Sequence, residues 1–309
     1  MRIGAFLGAC VLLAAGSASA QGTDQRAEII KGDPTWTGQR YTLAALPKAT
    51  GPARALFNGR DLTGWQPWLG YADTSLTFRG NPGASPLGTS VDTGQIFAVE
   101  TVDGGPVIRA GGLYWGSLAH TEDLANYHLT LEYKWGALEP GQQRNNGLVY
   151  FSHGQPGAVF GTWMTGMEFQ LQLGNNGMAI PMGNMIRTHT NVAQDLGIEY
   201  PHRRFAMDGR AIDLANGNPA YSVGAAVNAE KPVGEWNRID LYVVGDHAIH
   251  VVNGVAVMEL RDIAELDASG KRVPLTHGRV QLQAEGATTY FRNIKVEPIR
   301  ALPRLRPAS

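Results

Sequence analysis

Apolar and polar residues alternate along short segments through most of the chain. The clearest segment is NYHLTLEYKW, residues 126–135, in which Tyr, Leu and Trp occupy every second position with polar residues between them. Alternation with a period of two indicates a β-strand with one buried and one exposed face. Similar segments are GLVYFSH (147–153), MEFQLQL (167–173), NRIDLYVV (237–244), HAIHVV (247–252), VAVMEL (255–260), RVQLQAE (279–285) and TYFRNIKVE (289–297).

No segment combines a sustained helical period with capping residues. Asn253-Gly254 separates two of the β-rich segments, which is the strongest short-range signal for a β-hairpin. Many short strands with turn signals between them are typical of an antiparallel sandwich rather than of alternating strands and helices. The pattern therefore predicts one all-β domain, a jelly-roll β-sandwich, over residues 55–298.

One long segment, residues 174–234, interrupts the alternation and is rich in Asn, Gly, Met and His. Long ordered loops in compact domains are usually functional or mobile. This segment directly follows the strand predicted at residues 167–173. We therefore expect a long loop insertion that forms a wall beside the polar face of that strand.

The beginning of the chain has the pattern of a secretory signal peptide. Arg2 precedes an apolar run that ends in small residues at Ala18-Ser19-Ala20, a segment too short for a stable membrane span. We expect cleavage after Ala20 and a periplasmic or secreted location. The competing interpretation, a lipoprotein acylated at Cys10, is disfavoured because much of the apolar run follows that cysteine.

The segments that flank the predicted domain carry few structural signals. Residues 21–54 are polar with scattered Pro and Gly, and we interpret them as an N-terminal extension. Residues 299–309 are interpreted as a C-terminal tail. The signal peptide at 1–20, this extension, the domain at 55–298 and the tail together make up the predicted organisation.

Composition excludes several classes of partner. The formal net charge is −1 at pH 7, from 26 Lys and Arg against 27 Asp and Glu, so no basic excess suggests nucleic acid or anionic lipid. No apolar run after the signal peptide is long enough to span a bilayer. Cys10 is the only cysteine, which excludes thiol catalysis and Cys-ligated metal in a chain cleaved after Ala20.

The segment GMEFQLQLG, residues 166–174, raises a question of chemistry. In a strand, Glu168, Gln170 and Gln172 share one face, and the apolar residues between them share the other. Ordinary glycoside hydrolysis needs two carboxyl groups beside the scissile bond, and this row supplies only one. Retaining hydrolysis by this strand alone is therefore not expected.

Four parts of the chain together resemble the 3-keto-disaccharide hydrolase family. They are ALFNGRDLTGW at 55–65, NNGLVYF at 145–151, GMEFQLQ at 166–172, and a closing pair of segments at 232–260 and 278–299. The resemblance covers nearly all of residues 55–298. It implies a concanavalin-like (glucanase-like) jelly roll with a concave polar groove. It also implies an enzyme that cleaves glycosides whose sugar is oxidised to a ketone at C3.

A ketone at C3 changes what the site must supply. The ketone acidifies the hydrogen on C2, so a single base can remove it and the enolate can expel the group on C1. Glu168 is then the candidate base, and neutral donors stabilise the oxyanion. Gln283 matches a recurring Gln of the family, while Trp163 and Trp115 have neighbours typical of sugar-stacking residues. The candidate substrate-binding residues are Asn146, Gln170, Gln172, Arg187, Gln283 and Trp163.

A divalent metal such as Mn²⁺, Co²⁺ or Ca²⁺ could polarise the ketone in place of these donors. Candidate ligands lie in the long insertion. They are His189, Asp195, Glu199 and His202. Their spacing matches no standard zinc motif, so a polar surface loop without metal is the competing interpretation.

Three functions remain open from the sequence. The first is an exported hydrolase or lyase that acts on an oxidised mono- or disaccharide glycoside. The second is a non-catalytic carbohydrate-binding module of the cell envelope that uses the same groove. The third is an envelope structural protein, for which the Glu168 row would be covered by the second sheet or face open solvent.

Overall fold

The computed structural model describes residues 39–79, 82–138, 140–193, 203–215 and 222–308. These residues form nineteen β-strands and two single-turn 3-10 helices, Thr74–Leu76 and Thr93–Gln95, and contain no α-helix. The all-β fold predicted from the alternation is therefore confirmed.

The strands follow one another along the whole described chain. The first seven are β1 (Tyr41–Ala44), β2 (Arg54–Ala55), β3 (Trp65–Leu69), β4 (Phe97–Val102), β5 (Gly105–Ala110), β6 (Gly116–His120) and β7 (Tyr127–Trp135). The next six are β8 (Asn145–His153), β9 (Thr165–Gln172), β10 (Ala179–Met182), β11 (Ile186–Val192), β12 (Arg210–Ala215) and β13 (Asn237–Val244). The last six are β14 (His247–Val252), β15 (Val255–Leu266), β16 (Arg272–Pro274), β17 (Arg279–Ala284), β18 (Thr289–Pro298) and β19 (Arg304–Pro307).

The strands form two antiparallel sheets. Six strands make the smaller sheet in the order β10-β9-β8-β17-β6-β3. Thirteen strands belong to the larger sheet, whose main path is β12-β11-β15-β14-β13-β7-β18-β5-β4. The two sheets pack face to face, as a jelly-roll sandwich requires.

Side-chain alternation explains how the sandwich core forms. In β7 every second residue, from Tyr127 to Trp135, is buried, while the residues between them are partly exposed. In β9 of the opposite sheet, Met167, Phe169 and Leu171 belong to the same hydrophobic core. The second face of β9 is buried as well, which a solvated sheet face would not be. Other parts of the chain must therefore cover that face.

A polar contact crosses the core between the two sheets. Nε2 of His250 on β14 lies 3.0 Å from the hydroxyl of Tyr150 on β8, and its Nδ1 lies 2.9 Å from the carbonyl oxygen of Gly177. The imidazole also stacks on Phe169 with the ring centroids 4.3 Å apart. Burial lowers the pKa of His250 to about 4, so the ring is neutral at neutral pH.

The segment predicted as a long loop insertion is largely built into the sheets. Strand β10 pairs with β9 at the edge of the smaller sheet, and β11 pairs with β15 of the larger one, where β12 adds the edge strand. The end of the segment is fixed by the carboxylate of Glu230, which accepts hydrogen bonds from Tyr133, Trp135 and the backbone N–H of Gly174. The insertion therefore widens both sheets.

The two ends of the described chain meet in an antiparallel ribbon. Strand β1 pairs with β19 over four residues, from Tyr41 opposite Pro307 to Ala44 opposite Arg304. Tyr41 is fully buried and contacts the ring of Phe205 edge-on at 5.6 Å. Sequence patterning did not indicate these strands, because neither segment shows a clear alternation.

No helix within the described residues is long and apolar enough to cross a membrane.

Candidate functional site

A cavity of about 620 Å³ lies on the face of the smaller sheet that is turned away from the sandwich core. Its floor comes from β9, β8 and β17. The carboxyl and amide residues of its lining are Gln142, Gln143, Asn145, Glu168, Gln170, Gln172, Gln283 and Glu285. Five predicted site residues, Glu168, Gln170, Gln172, Gln283 and Trp163, therefore line one cavity.

Strand register brings these residues together. In the antiparallel pairing of β8 with β9, Asn145 lies opposite Gln172 and Gly147 lies opposite Gln170. Residues opposite each other in a ladder project from the same face of the sheet. On β17 the same alternation places Gln283 on the cavity side, because Leu282 and Ala284 belong to the core.

Several polar atoms that line the cavity are buried without a protein partner. Among the described residues, these atoms are Oε1 of Glu168, Oε1 of Gln170, both amide atoms of Gln283, Oδ1 of Asn145 and Nε1 of Trp163. Buried polar groups are otherwise almost always hydrogen-bonded. A cluster of unpartnered donors and acceptors in one cavity indicates a site built for a polar ligand.

Gly147 makes room for the carboxyl and amide groups at the centre of this cluster. A Cβ atom at position 147 would overlap with both Oε1 of Glu168 and Oε1 of Gln283. The two side chains therefore lie next to each other above the glycine. Any larger residue at this position would displace them.

Burial controls the ionisation of Glu168. Removal from water raises the pKa of the Glu168 carboxyl well above its usual range, the charge of Glu285 raises it further, and the amide of Gln283 lowers it. A carboxyl with a raised pKa is a stronger base when ionised and holds its proton at higher pH. Groups perturbed in this way are enriched at functional sites.

Glu285 supplies a second carboxyl to the cavity, which the sequence did not single out. The residue does follow the last residue of β17, but alternation from Gln281 through Gln283 continues to it and keeps it on the cavity side. Its backbone N–H donates a 2.7 Å hydrogen bond to Oδ1 of Asn146. The signal was present in the sequence as an uninterrupted period of two.

Asn146, a predicted substrate-binding residue, does not line the cavity. Asn146 lies opposite Leu171, a core residue, so its side chain projects toward the sandwich interior. Its amide donates to the carbonyl of Ala287 and to the hydroxyl of Thr289. Asn146 therefore supports the Glu285 backbone, and its neighbour Asn145 lines the cavity instead.

Arg187 and His189 do not line the cavity either. Both lie on β11 of the larger sheet, not on the cavity wall. The Arg187 guanidinium donates to the carbonyls of Asn184 and Ile186 at 2.8 Å. Nδ1 of His189 lies 2.9 Å from the carboxylate of Asp262. The pairing of β11 with β15 carries both side chains away from Glu168.

No group of three or more His, Cys, Asp or Glu side chains in the described part of the chain could hold a metal ion. Asp195, Glu199 and His202, the other candidate ligands, lie outside the described residues. The two carboxyl groups at the cavity, Glu168 and Glu285, are accompanied by amides rather than by His. The metal therefore stays a prediction, and the chemistry below is derived from the described side chains alone.

The other half of the cavity is apolar. Trp115 and Trp163 are stacked with their centroids 6.1 Å apart, and the ring of Phe78 contacts Trp115 at 5.5 Å and Phe160 at 5.2 Å. Methionine and isoleucine side chains from β10 and the residue before it complete this lining. They are Met178, Ile180 and Met182.

A jelly-roll sandwich with a cavity that combines carboxyl, amide and aromatic groups defines a glycosyl hydrolase-like, carbohydrate-active domain. A sequence profile described as the 3-keto-α-glucoside-1,2-lyase-like domain matches residues 52–297. The chain belongs to this family, which confirms the resemblance seen in the sequence. No curated protein matches the chain.

Solved structures give more distant likenesses. Two presumed glycosyl hydrolases from Parabacteroides distasonis ATCC 8503 are 17% and 18% identical, with TM-scores of 0.45 and 0.44. The first alignment covers 81% of this chain and 100% of that one, and the second covers 80% and 94%. The non-specific endo-β-1,3(4)-glucanase SCLam is 12% identical over 85% of this chain and 97% of its own, with a TM-score of 0.43. At TM-scores below 0.5 these likenesses support no conclusion about function. The family assignment depends on the sequence profile.

Proposed function

We propose that this protein cleaves glycosides whose sugar carries a ketone at C3, by removal of the C2 proton and elimination of the substituent on C1. The observation that supports this proposal is the position of Glu168, a buried carboxyl with a raised pKa among unpartnered amide groups. The description of the matching family, 3-keto-α-glucoside-1,2-lyase-like, supports the proposal.

The reaction follows from the groups that line the polar half of the cavity. The Glu168 carboxylate accepts the C2 proton, and the C–H electron pair moves into an enolate that includes the C3 oxygen. The enolate then reforms the ketone, makes a C1–C2 double bond and expels the oxygen on C1. Water can add across this double bond, so the net outcome is either elimination or hydrolysis.

Neutral donors stabilise the enolate oxygen in this proposal. The Gln283 amide lies beside Glu168 above Gly147, and the indole N–H of Trp163 is a second buried donor on the same cavity. The Trp163 N–H has no protein partner, so it is pre-organised for a developing negative charge. Amides suit this task because they do not titrate with the base beside them.

Glu285 is the candidate proton donor to the leaving oxygen. Within the described residues, Glu168 and Glu285 are the two carboxyl residues that line the cavity. Two like charges close together disfavour simultaneous ionisation, so the pair favours one proton shared between its members. Elimination needs Glu168 ionised and Glu285 protonated, and because burial and Glu285 raise the pKa of Glu168, this state forms from the one in which Glu168 carries the proton.

Turnover of oxidised substrates tests the proposal. The protein is incubated with 3-keto-trehalose and with a methyl 3-keto-glucoside, with and without Mn²⁺, Co²⁺ or Ca²⁺, and release of the group on C1 is measured. Deuterium at C2 of the substrate is expected to slow the reaction if Glu168 removes that proton in a rate-limiting step. Absence of turnover under every condition contradicts the proposal, and turnover of unoxidised glucosides alone indicates ordinary hydrolysis.

Binding measurements separate this enzyme from a carbohydrate-binding module. A module is expected to bind an unoxidised glycan tightly, and Glu168→Gln would leave that binding unchanged. The envelope structural protein has no support from the site, because the Glu168 row is neither covered by the larger sheet nor open to solvent.

Export is a separate part of the proposal. It rests on residues 1–20, which lie outside the described residues. Expression with the full chain, followed by N-terminal sequencing of the periplasmic or secreted protein, is expected to show Gln21 as the first residue. Recovery of a lipid-modified protein that begins at Cys10 would support the lipoprotein alternative.

A further inference from the structure

The apolar half of the cavity is a separate hydrophobic cluster and not an extension of the sandwich core. Val149, Val159, Trp163, Met178, Ile180 and Met182 form this cluster, with Trp115 packed against it. The core between the sheets is a different set of residues. Because these apolar side chains lie on the outer face of the smaller sheet, they do not hold the two sheets together. Another function must account for them.

Three large apolar side chains that line the cavity remain exposed. Phe78 is 59% exposed, Phe160 is 39% exposed and Leu113 is 62% exposed, and all three line the cavity. They account for three of the eight large hydrophobic side chains that are exposed in the described chain. Clustered exposed apolar surface at a cavity marks a surface that binds an apolar group.

The two halves of the cavity differ in what they can bind. Apart from Thr74, the lining side chains are either carboxyl and amide groups or apolar groups, and the two sets adjoin at Glu168, which lies opposite Ile180 of β10 in the ladder. A sugar ring needs hydrogen bonds around its edge, and a buried hydroxyl without a partner is unfavourable. The amide half can satisfy one sugar, but the apolar half cannot satisfy the hydroxyl groups of a second one.

We infer that the natural substrate is a 3-keto-glycoside with an aromatic aglycone, the sugar lying on the amide half and the aglycone against Phe78, Trp115 and Phe160. This inference rests on the proposed function, because it assigns the group that the elimination expels from C1. The rings of Phe78, Trp115, Phe160 and Trp163 contact one another, some edge-on and some stacked. These are the two geometries that an aromatic group prefers. Methionine side chains adapt to guests of different shape.

Matched aglycones test the inference. Benzyl alcohol and methanol have nearly equal acidity, so benzyl and methyl 3-keto-glucosides differ in apolar surface and hardly in leaving-group quality. We expect kcat/KM to be about tenfold or more higher for the benzyl substrate, as the burial of one ring predicts. The benzyl substrate is also expected to exceed a 3-keto-disaccharide. A benzyl-to-methyl ratio near one, or a preference for the disaccharide, overturns the inference.

Substitution of the exposed rings locates the effect. Phe78→Ala and Phe160→Ala are each expected to reduce the benzyl-to-methyl ratio several-fold toward one. Leu46→Ala is the control, because Leu46 is 63% exposed and does not line the cavity, and it is expected to keep the wild-type ratio. An unchanged ratio in both Phe variants also overturns the inference.

Failure of the proposed reaction can be distinguished from failure of the aglycone inference. If no 3-keto substrate is turned over, calorimetric titration with benzyl and methyl glucosides still measures the apolar surface. Tighter binding of the benzyl compound, lost in Phe78→Ala, supports the aglycone surface and rejects only the reaction. Equal binding of both compounds, or a benzyl preference kept in Phe78→Ala, rejects the aglycone surface.

Discussion

Glu168 is held in an environment that disfavours its charged form. Burial and the neighbouring charge of Glu285 both raise the pKa of its carboxyl. In the unfolded chain this carboxyl ionises near its ordinary pKa of 4.5, so above that pH the folded state binds the proton more tightly. The contribution of Glu168 to stability therefore falls as pH rises through the window between the two pKa values.

Replacement of the Glu168 carboxyl by an amide is expected to lower activity and to raise stability. Glu168→Gln is expected to lower kcat on a 3-keto-glucoside by at least about 100-fold, because the base is lost. It should also raise Tm at pH 8 by about 2 °C or more, with a smaller gain at pH 5. The checks are steady-state kinetics and thermal unfolding at both pH values.

Glu235→Gln is the matched control for this prediction, because Glu235 is exposed and distant from the cavity wall. It is expected to keep both activity and Tm. A Glu168→Gln protein that is less stable than wild type at pH 8 would mean that the ionised carboxyl has stabilising partners.

Gly147 sets the separation of the two central groups of the site. Gly147→Ala is expected to lower kcat/KM by about tenfold to 100-fold, because the added Cβ displaces Glu168 and Gln283 from their positions. Gly105→Ala in β5 is the control, since a Cβ there meets no atom within 4 Å. Steady-state kinetics of both variants, with Tm as a check of folding, measure the difference. Equal activity in the two Ala variants would contradict this geometry.

Individual residues show which positions of the site the sequence pattern can predict. Alternation correctly placed Glu168, Gln170 and Gln172 on one face, because residues 167–172 of β9 pair with β8 in one unbroken register. Asn145 and Asn146 are adjacent polar residues, and the pattern alone does not say which of them faces the cavity. The choice depends on strand register, which is set by pairing partners distant in the sequence.

At the scale of elements, β8 and β14 are joined by the contact between Tyr150 and His250. The folded state lowers the pKa of His250 from 6.5 to about 4. Between those pH values the unfolded chain therefore binds more protons than the folded one. Stability is then lost as pH falls below about 6.5, by up to about 3 kcal/mol near pH 4.

The pH dependence of unfolding tests this contact. Between pH 7.5 and pH 5 the free energy of unfolding of wild type is expected to fall more than that of His250→Gln, because the variant has no imidazole to protonate. His277→Gln is the control, since the His277 side chain is 66% exposed, and it should follow wild type. Urea unfolding at the two pH values measures the difference, and parallel profiles for all three proteins would reject the role of His250.

The strands of the long insertion were not visible in its sequence. Strand β10, with the sequence AIPM, is four residues long and lies at a sheet edge, where Pro is tolerated. Strand β11 does alternate, but its hydrophobic face includes Thr188 and Thr190, whose hydroxyls donate to carbonyls of β15. Tertiary pairing rather than local pattern stabilises these strands, so a search for hydrophobic alternation misses them.

At the scale of the whole molecule, the β1–β19 ribbon ties the N-terminal side of the domain to its C-terminal side. Tyr41 anchors the ribbon: its hydroxyl accepts a hydrogen bond from the Met207 N–H and donates one to Gln39, both at 3.0 Å. Tyr41→Ala is expected to lower the free energy of unfolding by about 3–5 kcal/mol. Tyr41→Phe should lower it by only about 1 kcal/mol, because the ring stays in place.

Denaturant unfolding of both Tyr41 variants checks this prediction. A loss below about 1 kcal/mol in Tyr41→Ala would show that the ribbon unfolds independently of the sandwich. Neither variant is expected to change the benzyl-to-methyl preference, since Tyr41 is not among the residues that line the cavity.

The β1–β19 ribbon also places the two ends of the described chain where they could be joined to each other. The N–H of Ala308 donates a 2.8 Å hydrogen bond to the carbonyl of Arg40, so the first and last described strands leave the fold side by side. A linker of a few residues could join these points and close the polypeptide into a ring. New ends could then be opened at the exposed turn around Gly270, between β15 and β16, and the order of strands along the chain would change while every pairing in the sheets is kept.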